Sequence, residues 1–154
     1  MMKPLAGTYA LVFSSTEAAP IAIGKHGTLR LQRGYYVYVG SALGPGGLHA
    51  RMAHHLEPTG HPHWHVDYLR THTKPQEVWF CYGRILWEHR WAYCLGLQRG
   101  ASVPLAGFGS SDCMCESHLF FFGSRPSRAA FGRSLRTSDR RHPPVQLHSL
   151  PANS

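Results

Sequence analysis

The chain has 154 residues, 43% hydrophobic and only 16% charged, a balance that excludes wholesale disorder and suits one compact domain. Lys and Arg number 16 against 8 Asp and Glu, a formal charge of +8 before any of the 12 His is counted. No apolar run approaches the ~18–20 residues of a membrane span and no secretory h-region is present, so the expectation is a cytoplasmic protein with no membrane association.

In chain order, Gly7-Thr8-Tyr9-Ala10-Leu11-Val12-Phe13 has strand composition. Ile21-Ala22-Ile23 and Thr28-Leu29-Arg30-Leu31 flank Lys25-His26-Gly27 and predict a hairpin. Tyr35-Tyr36-Val37-Tyr38-Val39 is β-branched and aromatic throughout, as in a strand buried on both faces. A glycine-rich loop, 41–47, leads into a predicted helix over 48–57, with Leu48, Met52 and Leu56 as its core stripe. A short helix is predicted over 64–72, a strand over 76–82 and a helix over 86–98, its stripe being Trp87, Trp91, Cys94 and Leu95. Leu119-Phe120-Phe121-Phe122 reads as the last strand of the body. Mixed strands and helices without regular βαβ alternation predict an α+β fold with a small, mainly antiparallel sheet flanked by helices.

Residues 125–154 hold six Arg against Asp139, together with Pro126, Pro143, Pro144 and Pro151. Composition therefore divides the chain into a body, 1–124, and a disordered basic tail, 125–154, able to grip phosphates or simply to solubilise. Cys81 and Cys94 lie among apolar residues and read as small buried hydrophobes.

Gly7-Thr8-Tyr9, Tyr38-Val39-Gly40, Arg51 on the helix that follows and Glu88 on a later helix occur in the order of a nuclease signature. With the longer blocks His63-Trp64-His65-Val66-Asp67-Tyr68-Leu69 and Phe108-Gly109-Ser110-Ser111-Asp112-Cys113-Met114-Cys115-Glu116-Ser117-His118-Leu119, the chain resembles the GIY-YIG endonuclease superfamily, in its Uri-type branch. The resemblance covers roughly residues 5–123. The separation of Tyr9 from Tyr38 exceeds the superfamily's usual one, and the hairpin fills the excess as an insertion. His89 follows Glu88 where the branch usually has cysteine.

The resemblance implies metal-dependent hydrolysis of phosphodiester bonds in DNA or RNA. It assigns Tyr9 and Tyr38 to water positioning and proton transfer, Arg51 to the phosphate, and Glu88 to Mg²⁺ or Mn²⁺. The chemistry suits the residue types. A carboxylate with open coordination positions holds such a cation, and a guanidinium forms a bidentate fork on phosphate oxygens. A phenol, with an ordinary pKa of ~10, needs help to lose its proton. His55, one helical turn from Arg51, is an auxiliary acid/base candidate. The alternative is a non-catalytic nucleic-acid-binding module on the same fold. A small domain has modest surface for specificity, so a partner or a fused domain is a further expectation.

Seven of the 12 His fall between His49 and His72. His63 and His65 read as phosphate donors, metal ligands or packing residues, and Asp67 as a hydrogen-bond partner or helix cap rather than a second metal ligand. A third reading, a zinc- or redox-responsive protein, rests on Cys113, Cys115 and His118, whose thiolates and imidazole suit Zn²⁺. The same Gly-Ser-Ser-Asp segment also reads as a turn fixed by its own side chains.

Overall fold

The strand and helix signals become eleven elements in the computed structural model, which describes residues 2–24, 27–57, 65–106, 108 and 117–151. In order they are β1 (Gly7–Ser15), β2 (Ala19–Ala22), β3 (Thr28–Leu31), β4 (Gly34–Ala42), α1 (Gly47–Leu56) and α2 (His65–Arg70). There follow β5 (Lys74–Tyr82), α3 (Glu88–Gly96), β6 (Leu119–Phe122), α4 (Arg128–Ser138) and β7 (Gln146–Ser149). Five strands form one sheet in the order β6-β4-β1-β5-β7, with every pairing antiparallel. β2 and β3 make a separate hairpin. The fold is α+β.

β1 is the central strand and is covered on both faces, which explains its unbroken apolar run. Tyr9, Leu11 and Phe13 point into one core with α1, α2 and the hairpin, while Ala10 and Val12 point into a second core with α3 and α4. The hairpin is therefore an integral part of the first core: Ile21, Ile23, Leu29 and Leu31 are all buried there. Leu48 and Met52 form the buried stripe of α1. Trp87, Trp91, Cys94 and Leu95 do the same at α3, and Cys81 and Cys94 are buried free thiols. α1 starts where it does because Gly47 takes a φ of 55° and lies against the Leu5 carbonyl, where a Cβ would overlap. Leu48 N–H then donates to that carbonyl at 2.9 Å.

The C-terminal segment corrects the expectation of a disordered tail. Ser127 caps α4 by accepting a hydrogen bond from Ala130 N–H at 3.1 Å. Phe131 and Leu135, at i and i+4, are fully buried. The Phe131 ring sits 5.5 Å from Trp79 and 5.1 Å from Trp91. β7 then adds an edge strand to β5, from Phe80↔Gln146 to Glu77↔Ser149. Of the six arginines that suggested disorder, Arg133 and Arg136 are exposed on α4, Arg128 is half-buried at its start, and Arg125, Arg140 and Arg141 are exposed outside the helix, whose apolar side closes the second core. Among the described residues, no helix is long and apolar enough to cross a membrane.

Between α4 and β7, His142 is buried and bonded on both ring nitrogens. Its Nδ1–H donates to the Pro143 carbonyl at 2.6 Å and its Nε2 accepts from Trp91 Nε1–H at 2.7 Å. That arrangement needs a neutral ring, because protonated Nε2 would face another N–H donor. Burial lowers its pKa, the Pro143 carbonyl and Asp139 oppose the shift, and Arg136 and Arg90 add to it.

Two outcomes follow from the packing. Phe131→Ala is expected to lower unfolding free energy by about 3–5 kcal/mol, measured by urea denaturation, because it leaves a cavity between two tryptophans. A depressed folded-state pKa means that the stability His142 confers is complete above the unfolded value of ~6.5 and is lost as pH falls below it. The melting temperature is expected to drop between about pH 7 and pH 5, and His142→Gln to shrink that drop; an unchanged pH dependence in the variant would remove His142 as its source.

Candidate active site

The register of β1 with β4 sets Tyr9 opposite Gly40 and Leu11 opposite Tyr38, so both tyrosines face the α1 side of the sheet. The Tyr9 ring lies directly across Gly40, and a Cβ there would overlap its hydroxyl and ring. A glycine two residues after Tyr38 is thus the space that a buried tyrosine on the neighbouring strand requires.

α1 supplies the next two groups from one face, one turn apart. His55 is buried, and its Nε2 is 2.8 Å from the Tyr9 hydroxyl. Its ring also meets Tyr38 edge-on at 6.2 Å, and Phe108 meets Tyr38 edge-on at 6.0 Å. Arg51 Nη1–H donates to the Ser41 carbonyl at 2.8 Å.

Ser41 also connects this side of the sheet to the other. Its hydroxyl donates to Glu88 Oε1 at the start of α3. The second oxygen, Oε2, is 2.9 Å from His118 Nδ1. His118 is itself fixed by the main chain: its N–H donates to the Phe108 carbonyl at 2.8 Å and its carbonyl accepts from Val39 N–H at 2.9 Å. The carboxylate of Glu88 is therefore held from two directions.

The electrostatics follow from burial and from these partners. Burial raises the Tyr9 phenol far above its ordinary range, against the charge and hydrogen bonding of Arg51. Tyr38 rises for the same reason, helped by Tyr9 and Glu88. Burial would raise Glu88 too, but hydrogen bonds from His118 and Ser41 outweigh it and hold the carboxyl below its usual value. The result is two neutral phenols, a guanidinium and a carboxylate in one electrostatic neighbourhood.

Tyr9, Tyr38, Arg51, His55 and Glu88 are thus brought together from four elements. His63 lies outside the described residues, as does the side chain of His65, whose backbone opens α2. Cys113 and Cys115 also lie outside them, and His118 turns its Nδ1 to Glu88. Three further residues belong to the neighbourhood and were not singled out for it. Ser41 directly follows the Tyr38-Val39-Gly40 triplet, and that adjacency was its only signal. His54 Nε2 lies 3.2 Å from Asp67 Oδ2, and His55 Nδ1 lies 3.7 Å from Asp67 Oδ1. Asp67 is buried on α2 and serves as the hydrogen-bond partner expected of it. Among the described residues, two places could hold a cation: the Glu88 carboxylate, and the group His54, His55 and Asp67.

A model of the family described as a domain of unknown function, DUF123, matches residues 8–138, and the chain belongs to that family. The matched stretch contains the whole site and all of α4. No curated protein and no solved structure matches the chain.

Gly40→Ala tests the close approach on which the site is built. It is expected to cost about 1–3 kcal/mol in a urea melt, as overpacking does. In a Tyr9→Phe background, where the hydroxyl that meets the new methyl is gone, the cost is expected to be smaller. Equal costs in the two backgrounds would mean that Tyr9 is not what the glycine accommodates.

Proposed function

We propose that this member of the DUF123 family is a metal-dependent endonuclease that hydrolyses phosphodiester bonds in DNA or RNA, with chemistry of the GIY-YIG type. The observation that carries the reading is the convergence of Tyr9, Arg51, His55 and Glu88, with Tyr38 beside them, around the end of β4. The motif order singles out Tyr9, Tyr38, Arg51 and Glu88, His55 stands one helical turn from Arg51, and the five come from β1, β4, α1 and α3. The formal charge of +8 and the outward arginines of α4 support a polyanionic partner.

Arg51 has the planar fork that fits two non-bridging phosphate oxygens, and its bond to the Ser41 carbonyl restricts its direction before a substrate arrives. Tyr9 orients the attacking water, and His55 is its acid/base partner across the 2.8 Å bond. Tyr38 packs against His55 and narrows the space beside it. Glu88 would hold Mg²⁺ or Mn²⁺. A carboxylate has about four lone-pair positions, so its bonds from Ser41 and His118 leave room for a hard cation with several waters. Such an ion supplies charge stabilisation and a more acidic water.

The second reading, a nucleic-acid-binding module without turnover, is favoured by one specific observation. Both oxygens of Glu88 already have protein partners, as in a carboxylate that has become a structural tie.

The test is cleavage of supercoiled plasmid, single-stranded DNA, branched DNA and structured RNA with Mg²⁺ or Mn²⁺, beside Glu88→Gln and Arg51→Ala. Wild-type cleavage is expected, with a loss of about 10²–10³-fold in the Arg51 variant and a loss of metal dependence or of all activity in the Glu88 variant. Salt-sensitive binding with no cleavage by any form would leave the binding module. Absence of both binding and cleavage would remove both readings.

A further inference from the structure

The geometry points to a divalent transition-metal site, with zinc as the favoured ion, formed by His54, His55 and Asp67 between α1 and α2. Neighbouring residues on a helix point about a quarter-turn apart and do not ordinarily share a ligand. Here they do so by using different nitrogens. His55 offers Nδ1, close to its backbone, and His54 offers Nε2, at the far end of its ring. The two imidazoles stand edge to face with centroids 5.5 Å apart, and Asp67 comes from α2 to meet both.

The spacing fits zinc. Ligand atoms ~2.0–2.1 Å from a tetrahedral Zn²⁺ are ~3.3–3.4 Å from one another. His54 Nε2 is 3.2 Å from Asp67 Oδ2 and His55 Nδ1 is 3.7 Å from Asp67 Oδ1, so each nitrogen meets its own carboxylate oxygen, and one ligand atom from each residue can be chosen with all three within 4.8 Å, close enough for one ion to draw them together. Two imidazoles and one carboxylate are a donor set that favours zinc over Mg²⁺ or Ca²⁺. Asp67 and His55 are buried, whereas the His54 side chain is 28% exposed and leaves a way in for the ion. Among the described residues three protein ligands are on offer, and a tetrahedral ion takes a fourth.

The site is separate from the Glu88 carboxylate, and it does not rest on the nuclease reading. It would nevertheless act on Tyr9. A metal on Nδ1 fixes His55 as the tautomer with hydrogen on Nε2, and that hydrogen points at the Tyr9 oxygen 2.8 Å away. The ion would thus decide which partner of that bond donates.

The experiment is titration of the tag-free, metal-stripped chain with Zn²⁺ in the presence of excess Mg²⁺, and with Co²⁺ as a spectroscopic probe. The expected result is one equivalent bound. The Co²⁺ complex should show the visible bands of low-coordinate nitrogen and oxygen ligation without thiolate charge transfer. His54→Ala and Asp67→Asn should each weaken binding by more than the ~10–100-fold that loss of an outer partner costs. Glu88→Gln and a Cys113→Ser, Cys115→Ser double variant should bind as wild type. The inference is overturned if the folded wild type binds no stoichiometric Zn²⁺, or if the His54 and Asp67 variants bind normally. It is equally overturned if thiolate bands appear, or if the cysteine variant loses the metal. Should either ligand variant fail to fold, the wild-type Co²⁺ spectrum decides alone. Zinc binding in a protein that cleaves nothing would uphold this site while removing the nuclease reading.

Discussion

The contact of the Tyr9 ring with the bare backbone of Gly40 sets the geometry of everything around it. A large aromatic can lie flat over the neighbouring strand only where that strand has no side chain to offer. Because β1 and β4 pair without a register shift from Gly7↔Ala42 to Ser15↔Gly34, a slip of one residue would turn Tyr9 to the opposite face. Correct register thus positions the hydroxyl for His55, and α1 packs at the distance this hydrogen bond allows.

From that point the site is organised by sharing, with each polar group held by another. Ser41 gives its carbonyl to Arg51 and its hydroxyl to Glu88, which links α1 on one face of the sheet with α3 on the other. His118 ties the same carboxylate to the backbone beside β4. Asp67 brings α2 against the two histidines of α1. Ordering of this kind makes a site stiff before any ligand arrives, which favours discrimination by geometry over capture by adjustment.

The parts legible in the sequence are those governed by local pattern. The buried strands announced themselves through unbroken runs of Val, Tyr and Phe, and α1 through Leu48, Met52 and its glycine-rich entry. The hairpin was legible as a hairpin, but not its packing into the first core, since alternation shows a buried face without naming what buries it. The C-terminal helix was misread for a physical reason. Counting arginines and prolines averages over a segment, whereas a helix needs only a cap and one apolar stripe, here Ser127 with Phe131 and Leu135. The tyrosines, Arg51 and Glu88 were singled out by their order along the chain, and His55 by its place one helical turn from Arg51. The approach of Asp67 to His54 and His55 could not be read this way, because it exists only once two helices pack together.

The late position of α4 has a consequence for how the chain reaches this state during synthesis. Trp79 and Trp91 are made long before Phe131 and Leu135, which cover them. Until those two residues leave the ribosome, the part of the second core that α4 covers, around Trp79 and Trp91, is exposed apolar surface. Folding of this half must therefore wait for about forty further residues, a window of seconds at ordinary rates of synthesis. The arginines on the outer side of α4 are made within the same stretch as the apolar pair. The segment that completes the core thus adds positive charge to the surface at the same moment as it covers the apolar one.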